Sequence, residues 1–487
     1  MRWLFTGFLA SLIAFSLFMS WRFSGAIGQG GAPVIYWVTD PNPARIEQIA
    51  LFKSWLKKRG YQDIDLRLDV NNQGAQKTVV QGVTGVAGDC IDAGSTWIRY
   101  FYSMGIISPV TNLEKRFGYP DDGLFPCIRS DIFVDGKQIA FPCNLGIAGY
   151  LVNADVFKKY GMETPPFLMD FATFERLGKE FVEKANAGRR RETFFAGAIS
   201  HEAMRRSLGV THFNETLTRS AINRKEFVDV LNLMFKWTYT DHLVPTAAEM
   251  ASFSVEQGYG GLQYQLLCKG NFGMVETGRW AMIQMRKMKN PVQWAQVLYP
   301  HGGYPNAMAT TRAAVLYAGT KNRDAAVHFL AFLRSDDYNM HVVRDSDGIP
   351  PNPKFMDTDE FLKPAGKTNE WAMHASSRRI ANDYAFPRDI SPFALFQKYN
   401  RAESLAIQGF MNRLTTAEQA VALIEQGVND ELDRFMRTHP DLRSAFQAAQ
   451  ERQKKIDAAK AAGQKIPLAL VDNPFLARYY KDKGLGE

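Results

Sequence analysis

The chain of 487 residues lacks most of the signatures that mark specialised protein classes. It has four cysteines, and their spacing matches neither a CxxC pair nor a zinc-binding pattern. It contains no G-x-S-x-G, H-E-x-x-H, P-loop or dinucleotide-binding fingerprint, so its motifs favour no common enzyme class. Basic residues are scattered rather than grouped and the net charge is +8, which gives little support to a nucleic-acid partner.

What the chain does contain is typical of an ordinary globular protein, with 46% apolar and 22% charged residues. Such a composition excludes disorder and a collagen-like repeat. A chain of this length predicts two or three domains, each large enough for a core of its own. A ligand cleft between domains is therefore one arrangement that the length allows.

The N-terminal segment predicts export. Residues 3–21 carry no charge and lie between Arg2 and Arg22, and as a helix they would reach about 28 Å, close to the thickness of a bilayer core. Small residues at 24–26 also offer a signal-peptidase site, so both an uncleaved anchor and a cleaved signal remain open. Residues 1–32 are thus a signal or anchor with a glycine-rich linker, and the rest is expected on the outer face of the membrane, or in the periplasm.

Two of the cysteines flank a predicted hairpin. Cys127 and Cys143 lie on either side of a turn at residues 135–136, at nearly equal distances from it. In an exported protein this spacing predicts a disulfide, against the alternative of two small buried apolar side chains. Cys90 and Cys268 are expected to be buried thiols.

After the linker, strands and helices alternate. Val34–Val38 is a short continuous apolar run, as expected for a strand covered on both faces. A helix with apolar residues at spacings of three and four ends at Gly60, residues 64–70 alternate as a second strand, a helix covers about 76–86, and residues 90–93 begin a third strand. This βαβαβ order predicts an α/β fold with a mostly parallel sheet, which binds ligands beyond the carboxyl ends of its strands.

Polar and aromatic residues follow each of these three strands. They are Trp37, Thr39, Asp40 and Asn42 after the first, Asn71, Asn72 and Gln73 after the second, and Gly94, Ser95, Thr96 and Trp97 after the third. Amides and carboxylates pair with hydroxyls, and a flat ring covers the apolar face of a sugar. The set predicts a site for a polar ligand, although Trp37 could instead be core and Asn71 and Asn72 could cap a turn.

Six ordered segments carry a resemblance to a known family. They are Gly88-Asp89-Cys90-Ile91; Gly105-Ile106-Ile107-Ser108-Pro109-Val110; Asp135-Gly136-Lys137 through Phe141-Pro142-Cys143-Asn144 to Tyr150-Leu151-Val152-Asn153-Ala154-Asp155-Val156-Phe157; GNFGMVETGRW at 270–280; residues 321–333; and Asp347-Gly348-Ile349-Pro350. The chain resembles, over about residues 34–436, the extracellular solute-binding proteins of ABC importers, in the sugar-binding group related to maltose-binding protein. It departs from that pattern where Cys90 and a shifted Asp89 replace the usual Pro-Asp.

The resemblance implies two α/β lobes with a ligand cleft between them and hinge crossovers near residues 142–145 and 298–303. Lobe one would comprise 34–142 and 304–340, lobe two 146–298 and 346–436, and a C-terminal extension 437–487. Carried-over ligand residues are Asn144, Glu276, Gly278 and Trp280, to which Tyr304 and Asp345 are added as weaker candidates. Glu276 could instead cap a helix, and Trp280 could be core.

The implied function is capture of a sugar or similar solute by hinge closure, and its delivery by a monomer to an ABC permease, with no cofactor or metal. One alternative is a membrane-anchored solute sensor. Another is a glycoside-acting enzyme that uses Asp40 and Glu276 as an acid/base pair. A zincin motif fails because Arg205 stands where His201-Glu202 would require a second histidine.

The C-terminal region has its own signals. Thr415 and Glu418 form a potential capping box at the start of an apolar helical stripe. Residues 442–462 are rich in Ala, Gln and Lys and predict an exposed helix, and residues 474–480 are an apolar-aromatic run. The sequence indicates no role for this extension.

Overall fold

The computed structural model describes residues 11–16, 31–119, 123–134, 136–253, 261–288 and 291–487. The strands are β1 (Val34–Val38), β2 (Asp65–Asp69), β3 (Cys90–Gly94), β4 (Ile107–Ser108), β5 (Phe133–Val134), β6 (Lys137–Gln138), β7 (Phe141–Ile147), β8 (Gly149–Asn153), β9 (Phe194–Ala196), β10 (Phe272–Thr277), β11 (Trp294–Val297), β12 (Ala307–Tyr317) and β13 (Ala385–Pro387).

The helices up to residue 285 are α1 (Ala44–Lys58), α2 (Ala75–Thr84), α3 (Ser95–Ser103), α4 (Leu113–Phe117), α5 (Arg129–Ile132), α6 (Ala154–Lys159), α7 (Phe171–Asn186), α8 (His201–Arg206), α9 (Lys225–Tyr239), α10 (Ala247–Ser252), α11 (Gly261–Lys269) and α12 (Met282–Met285). The later helices are α13 (Arg323–Phe332), α14 (Asp336–Asp345), α15 (Asp359–Leu362), α16 (Trp371–Arg379), α17 (Phe396–Met411), α18 (Ala417–Thr438), α19 (Arg443–Ala461) and α20 (Pro474–Asp482).

The chain divides into two compact units. Unit 1 takes the described residues of Met1–Asp122, Asp131–Cys143 and Arg312–His341, and unit 2 takes those of Gly123–Ser130, Asn144–Thr311 and Val342–Glu487. One passage between units falls at residues 143–144, and a later one falls at 311–312, inside β12 and beyond the segment 298–303 that the resemblance implied. The C-terminal extension belongs to unit 2.

Unit 1 is built on a mixed sheet with a parallel β2-β1-β3 part. Strand β1 pairs in parallel with β2 and β3, while β12 runs antiparallel to β3 and to β4. Four of the five β1 residues are buried, which fits its continuous apolar run, although Tyr36 is exposed. The carboxyl ends of β1, β2 and β3 therefore meet at one edge, as the sequence predicted.

Unit 2 has a four-stranded sheet in the order β11-β8-β10-β9. Strand β8 is antiparallel to β10 and β11, and β10 is parallel to β9. The first residues of β12 pair in parallel with β13 within the same unit. A large apolar core surrounds this sheet, with Tyr150, Phe174 and Trp237 among its fully buried rings.

The predicted disulfide is wrong. Cys127 and Cys143 are both thiols, and neither belongs to the hairpin, whose strands β5 and β6 are two residues long each. Cys127 lies in the 3-10 helix Pro126–Ile128, and Cys143 lies in β7. Equal spacing from a turn implies proximity only when the ladder extends that far, and this ladder stops after two residues.

The N-terminal prediction falls almost entirely outside the described residues. Of segment 3–21, the structure describes residues 11–16, which are helical, and most of the glycine-rich linker is likewise outside. Among the described residues, none of the helices has both the length and the apolar character that a membrane crossing needs.

Helices α18 and α19 form where the sequence predicted them, with two corrections. The capping box at the start of α18 uses Thr416 and Gln419, one residue later than the predicted pair. Helix α19 is not fully exposed, because Ala449 and Ile456 are buried.

Candidate functional site

A buried carboxylate organises the carboxyl edge of unit 1. Asp92, in the middle of β3, accepts hydrogen bonds from Trp37 Nε1 at 2.7 Å, from Thr39 Oγ1 at 2.5 Å and from Arg312 Nη1 at 2.7 Å. The Asp92 side chain is 7% exposed. Three donors from β12 and from the end of β1 thus converge on one side chain, which fixes these segments relative to one another.

A second ion pair lies beside it. Asp40, just after β1, receives two hydrogen bonds from Arg45 of α1, at 2.8 Å from Nε and 3.2 Å from Nη2. The Arg45 side chain is fully buried, whereas that of Asp40 is 31% exposed. Arg312 Nη1 lies 3.9 Å from Asp40 Oδ1, so the two ion pairs adjoin. The sequence prediction included Asp40 but missed its partners.

Trp37 does not belong to the ligand surface. Its side chain is fully buried, its ring packs against Phe329 with centroids 4.8 Å apart, and its N–H is used by Asp92. The core alternative is therefore the correct one for Trp37. Neighbouring residues of a strand point to opposite faces of the sheet, and in β1 only Tyr36 is exposed. The Trp37 side chain therefore lies on the opposite, buried face and supports the edge from within the fold.

The loop after β2 contains both exposed side chains and one that is hydrogen-bonded within its turn. Asn71 and Gln73 are exposed, but Asn72 is tied into its turn. Its Nδ2 donates to Asp69 Oδ2 at 2.6 Å and its Oδ1 accepts from Gln81 Nε2 at 2.8 Å. The turn-capping alternative therefore describes Asn72, while the side chains of Asn71 and Gln73 stay at the surface.

The loop after β3 leads directly into α3. Ser95 is buried, whereas Thr96 and Trp97 are partly exposed. The Trp97 ring packs against Tyr100 and Phe101, with centroids 5.8 and 5.9 Å away. Trp97 thus supplies the partly exposed indole that the sequence placed at this edge.

In unit 2, the second predicted indole rests on glycine. Trp280 is half-buried, and a Cβ placed on Gly278 would lie 2.1 Å from its ring and 2.6 Å from the carbonyl oxygen of Ile147. The ring also approaches Gly146, whose added Cβ would lie 3.5 Å from it. Gly278 acts by leaving room for the ring rather than by contacting a ligand itself.

Glu276 is a strand residue, which excludes the helix-capping alternative. It lies in β10, is partly exposed, and its Oε1 accepts a hydrogen bond from Tyr299 Oη at 2.9 Å. Burial raises the pKa of the Glu276 carboxyl, and the Tyr299 hydrogen bond opposes that rise. Burial, with the neighbouring Glu276, also raises the pKa of Tyr299 well above its usual range.

Three further candidates have separate outcomes. Asn144 is buried and its Nδ2 donates to the Asp347 carbonyl at 2.6 Å, so it braces the chain beside a passage between units. Tyr304 is covered by the C-terminal extension: its hydroxyl donates to Asp482 at 2.7 Å. It is therefore corrected to a packing residue. Asp345, at the end of α14, is partly exposed.

The sequence analysis missed Asp92, Arg45 and Arg312. A signal was present for two of them, because Asp92 and Arg312 are the charged residues inside otherwise uncharged strands, CIDAG and AMATTRAAVLY. A buried charge in a strand needs a partner, so the two could have been paired. For Arg45, an arginine at the start of an amphipathic helix carries no such signal.

A separate ionic cluster lies inside unit 2. His212 pairs through its two ring nitrogens, with Arg205 Nη2 at 2.8 Å from Nδ1 and Glu403 Oε2 at 2.9 Å from Nε2. Asp389 accepts from the backbone N–H of His212 at 3.0 Å. Glu202, His212 and Asp389 approach closely enough to hold a metal ion. Because both imidazole nitrogens already have protein partners, we assign this cluster to stabilisation of the fold.

The fold and the edge of unit 1 define a class: an α/β binding protein made of two sheet-centred units with polar and aromatic side chains at a sheet edge. The model of the bacterial extracellular solute-binding protein family matches residues 57–369. The chain therefore belongs to that family, and both the predicted α/β fold and the resemblance are confirmed.

Individual relatives agree with this assignment. Binding proteins of Brucella abortus (strain 2308) and Brucella suis biovar 1 (strain 1330) are each 23% identical over 300 residues, which is 60% of this chain and 69% of theirs. Among solved structures, the Listeria monocytogenes ABC substrate-binding protein in complex with cycloalternan matches with a TM-score of 0.68 at 18% identity, covering 82% of this chain and 97% of its own.

A second solved structure, the GacH receptor of Streptomyces glaucescens, described unliganded and in complex with acarbose, matches with a TM-score of 0.66 at 16% identity. It covers 82% of this chain and 98% of its own. At these identities the likeness shows a shared fold.

Proposed function

We propose that this protein captures a carbohydrate or a related polyol outside the cytoplasm and delivers it to the permease of an ABC importer. The observation that carries the proposal is the carboxyl edge of unit 1. There a carboxylate (Asp40), a guanidinium (Arg312) and an indole (Trp97) all reach the surface of one sheet edge. Hydroxyl groups pair with the first two, and the apolar face of a sugar ring stacks on the third.

We assign a set of ligand-facing side chains to each unit. In unit 1 they are Asp40, Asn71, Gln73, Thr96, Trp97 and Arg312, and in unit 2 they are Glu276, Trp280 and Asp345. Ser95, Asn72, Asn144 and Gly278 support these positions from within the fold. Ligand-driven closure requires that the solute bind one conformation of the protein more tightly than another.

Known ligands of structural relatives support a sugar-like solute. Besides the cycloalternan and acarbose complexes, a solute-binding protein from Agrobacterium vitis S4 with bound D-mannitol shares the fold, with a TM-score of 0.60 at 18% identity, covering 82% of this chain and 98% of its own. These ligands share many hydroxyl groups.

The test is a thermal-shift screen of the purified protein against oligosaccharides, monosaccharides and sugar alcohols, followed by calorimetry. A ligand at a hundred times its Kd adds about 2.7 kcal/mol to the stability of the folded state, and therefore raises the melting temperature. Absence of a shift with every compound, in protein whose fold is verified by circular dichroism, would contradict carbohydrate capture.

Export is proposed from the uncharged segment 3–21, which leaves the chain tethered to the outer face of the membrane or released in the periplasm. Cell fractionation together with the N-terminal sequence of the mature protein separates these outcomes. Release requires an N-terminus near residue 27, and tethering requires the intact segment in the membrane fraction. Recovery in the cytoplasm would contradict export.

A further inference from the structure

Four charged side chains meet at the carboxyl edge of unit 1 as two adjoining ion pairs. Asp40 is paired with Arg45 at 2.8 Å, and Asp92 is paired with Arg312 at 2.7 Å. The two carboxylates and the two guanidiniums cancel, so this group of four is neutral as a whole. We refer to these four residues as the edge quartet.

The members of the edge quartet differ in depth. Arg45 is fully buried and the Asp92 side chain is 7% exposed, whereas those of Arg312 and Asp40 are 19% and 31% exposed. The outer members therefore have opposite signs, and each is neutralised by an inner partner. A ligand at this edge meets one acceptor and one donor, which lie 3.9 Å apart.

The inner partners also make hydrogen bonds within the fold. Arg45 Nη1 donates to Gln48 at 3.1 Å, and Asp92 holds Trp37 and Thr39 as well as Arg312. An ionised ligand group near Arg312 or Asp40 would therefore meet one attractive and one repulsive charge, while losing its own hydration. A neutral ligand avoids this penalty: one hydroxyl donates to Asp40 while another accepts from Arg312.

We propose that the Asp92–Arg312 pair, set beside Asp40 and Arg45, is a specificity determinant that selects an uncharged hydroxyl-bearing solute over a carboxylate or ammonium analogue of it. This inference rests on the proposed function, since it concerns the same site. Asp92 acts as a positioning residue, because it holds and neutralises Arg312 without facing the ligand. The net charge of the edge, rather than its shape, sets the selection.

The test compares matched probes on the intact mature protein. Glucose is set against glucuronate and glucosamine, and mannitol against gluconate, with melting temperatures measured at equal concentrations and constant ionic strength. The expected result is a shift with a neutral member and at least tenfold weaker binding of its charged counterparts. Stronger binding of a charged member overturns the inference but keeps solute capture, whereas no shift from any of these probes, together with none in the wider carbohydrate screen, removes both.

Variants then isolate the pair. Asp92→Asn removes one negative charge from the edge quartet and leaves it with an excess of positive charge, and we expect the preference for glucose over glucuronate to fall at least tenfold. Arg312→Gln removes one positive charge and leaves the edge quartet with an excess of negative charge. We expect this variant to strengthen the binding of glucosamine relative to glucose. The double variant restores neutrality and the original preference, which a merely structural role for Asp92 would not produce.

The matched control is Asp337→Asn. It makes the same change in net charge on unit 1, but at an exposed ion pair with Lys58 at 3.0 Å, and it should leave the ratios unchanged. Equal effects of Asp92→Asn and Asp337→Asn, or unchanged ratios in both edge variants, overturn the inference. Circular dichroism verifies folding, and if Asp92→Asn does not fold, the Arg312→Gln ratio decides alone.

Discussion

At the scale of the single residue, the two partly exposed indoles differ in what supports them. Trp97 leans on Tyr100 and Phe101, which follow it in the same helix α3. Trp280 instead fits against the backbone at Gly278, in the turn that follows strand β10. The first support is local in sequence, and the second depends on a single missing side chain.

Removing either indole tests its role directly. We expect Trp97→Ala and Trp280→Ala each to weaken binding of a cognate sugar by about 1–3 kcal/mol, because each loses a stacked aromatic surface. Isothermal titration calorimetry measures the change. Trp371→Ala is the control, since that partly exposed indole on α16 bonds to the Pro364 carbonyl at 3.2 Å and lies outside the proposed set. Unchanged affinity in both variants would remove these indoles from the site.

Adding one methyl group at Gly278 tests the support of Trp280. A Cβ there would lie within 2.6 Å of both a backbone oxygen and the indole, so Gly278→Ala must displace the ring. We expect a stability loss of about 1–3 kcal/mol and weaker ligand binding. Gly409→Ala, in helix α17, is the control, because a Cβ there would make only an ordinary contact at 3.7 Å, with Thr415. This variant should leave ligand binding unchanged and stabilise the fold by up to about 1 kcal/mol. Unchanged affinity in Gly278→Ala would show that the Trp280 ring adapts to the added methyl group.

Sequence reasoning at this scale identified residue types better than residue roles. It placed two tryptophans at the first sheet edge, but which one faces solvent depends on the depth of each strand in the folded sheet. For Tyr304, the covering residue Asp482 lies 178 positions later. Contacts of that separation leave no pattern in a single sequence, whereas a charge inside an apolar strand, such as Asp92, does.

At the scale of the element, local patterns predicted the order of strands and helices in unit 1 and their approximate bounds. The predicted helix at 76–86 is α2 at Ala75–Thr84, and the apolar run at 34–38 is β1. The failures concern pairing. The hairpin of β5 and β6 is too short to align the cysteines, because the length of a ladder depends on neighbouring elements rather than on the turn.

The buried carboxylate of Glu370, at the start of helix α16, predicts that the fold loses stability in acid. Glu370 accepts hydrogen bonds from Arg286 at 2.7 Å and from His374 at 3.0 Å. Burial alone would raise the pKa of Glu370, but the hydrogen bonds from His374 and Arg286 lower it to about 2. Burial also lowers the pKa of His374 to about 4, so at neutral pH this ring is uncharged and donates to the carboxylate.

The sign of the pH effect follows from the lowered pKa. A carboxyl that titrates at about 2 when folded and near 4.5 when unfolded stabilises the fold above pH 4.5, by about 3 kcal/mol, and loses that contribution as the pH falls toward 2. We expect Glu370→Gln to lower the urea midpoint at pH 7, with the gap to the parent protein closing between pH 5 and 2. Since the Glu370 carboxylate also raises the pKa of His374, the gap reports the Glu370–His374 pair. Exposed Glu163→Gln is the control, and a gap that does not change with pH would contradict the assignment.

At the scale of the whole molecule, the two-unit architecture could be predicted through the family resemblance, while the role of the C-terminal extension could not. The family model ends at residue 369, and the solved relatives cover 82% of the chain. The extension nevertheless packs into unit 2. Glu215 accepts hydrogen bonds from Gln453 at 2.7 Å, from Tyr480 at 2.5 Å and from Lys460, all three of them residues of the extension.

The last helix, α20, covers a buried charge. The Phe475 ring is fully buried, with the Arg206 guanidinium 4.3 Å from its centroid. Arg206 is fully buried itself and donates to the Pro387 carbonyl at 3.2 Å. Burial lowers the pKa of Arg206, with the nearby Asp389 opposing this. The extension therefore excludes water from a charge that belongs to the fold shared with the relatives.

Phe475→Ala tests whether the extension is a structural part of unit 2. We expect a loss of about 3–5 kcal/mol, because the change removes a buried ring and admits water beside a buried guanidinium. The measurement is the thermal midpoint of the protein, followed by hydrogen exchange at the backbone amide of Arg206. Leu485→Ala, at a side chain that is 50% exposed, is the matched control and should change the midpoint little. If the extension were a solvated appendage, both variants would melt with the parent protein, since a ring that buries nothing cannot stabilise the residues beneath it.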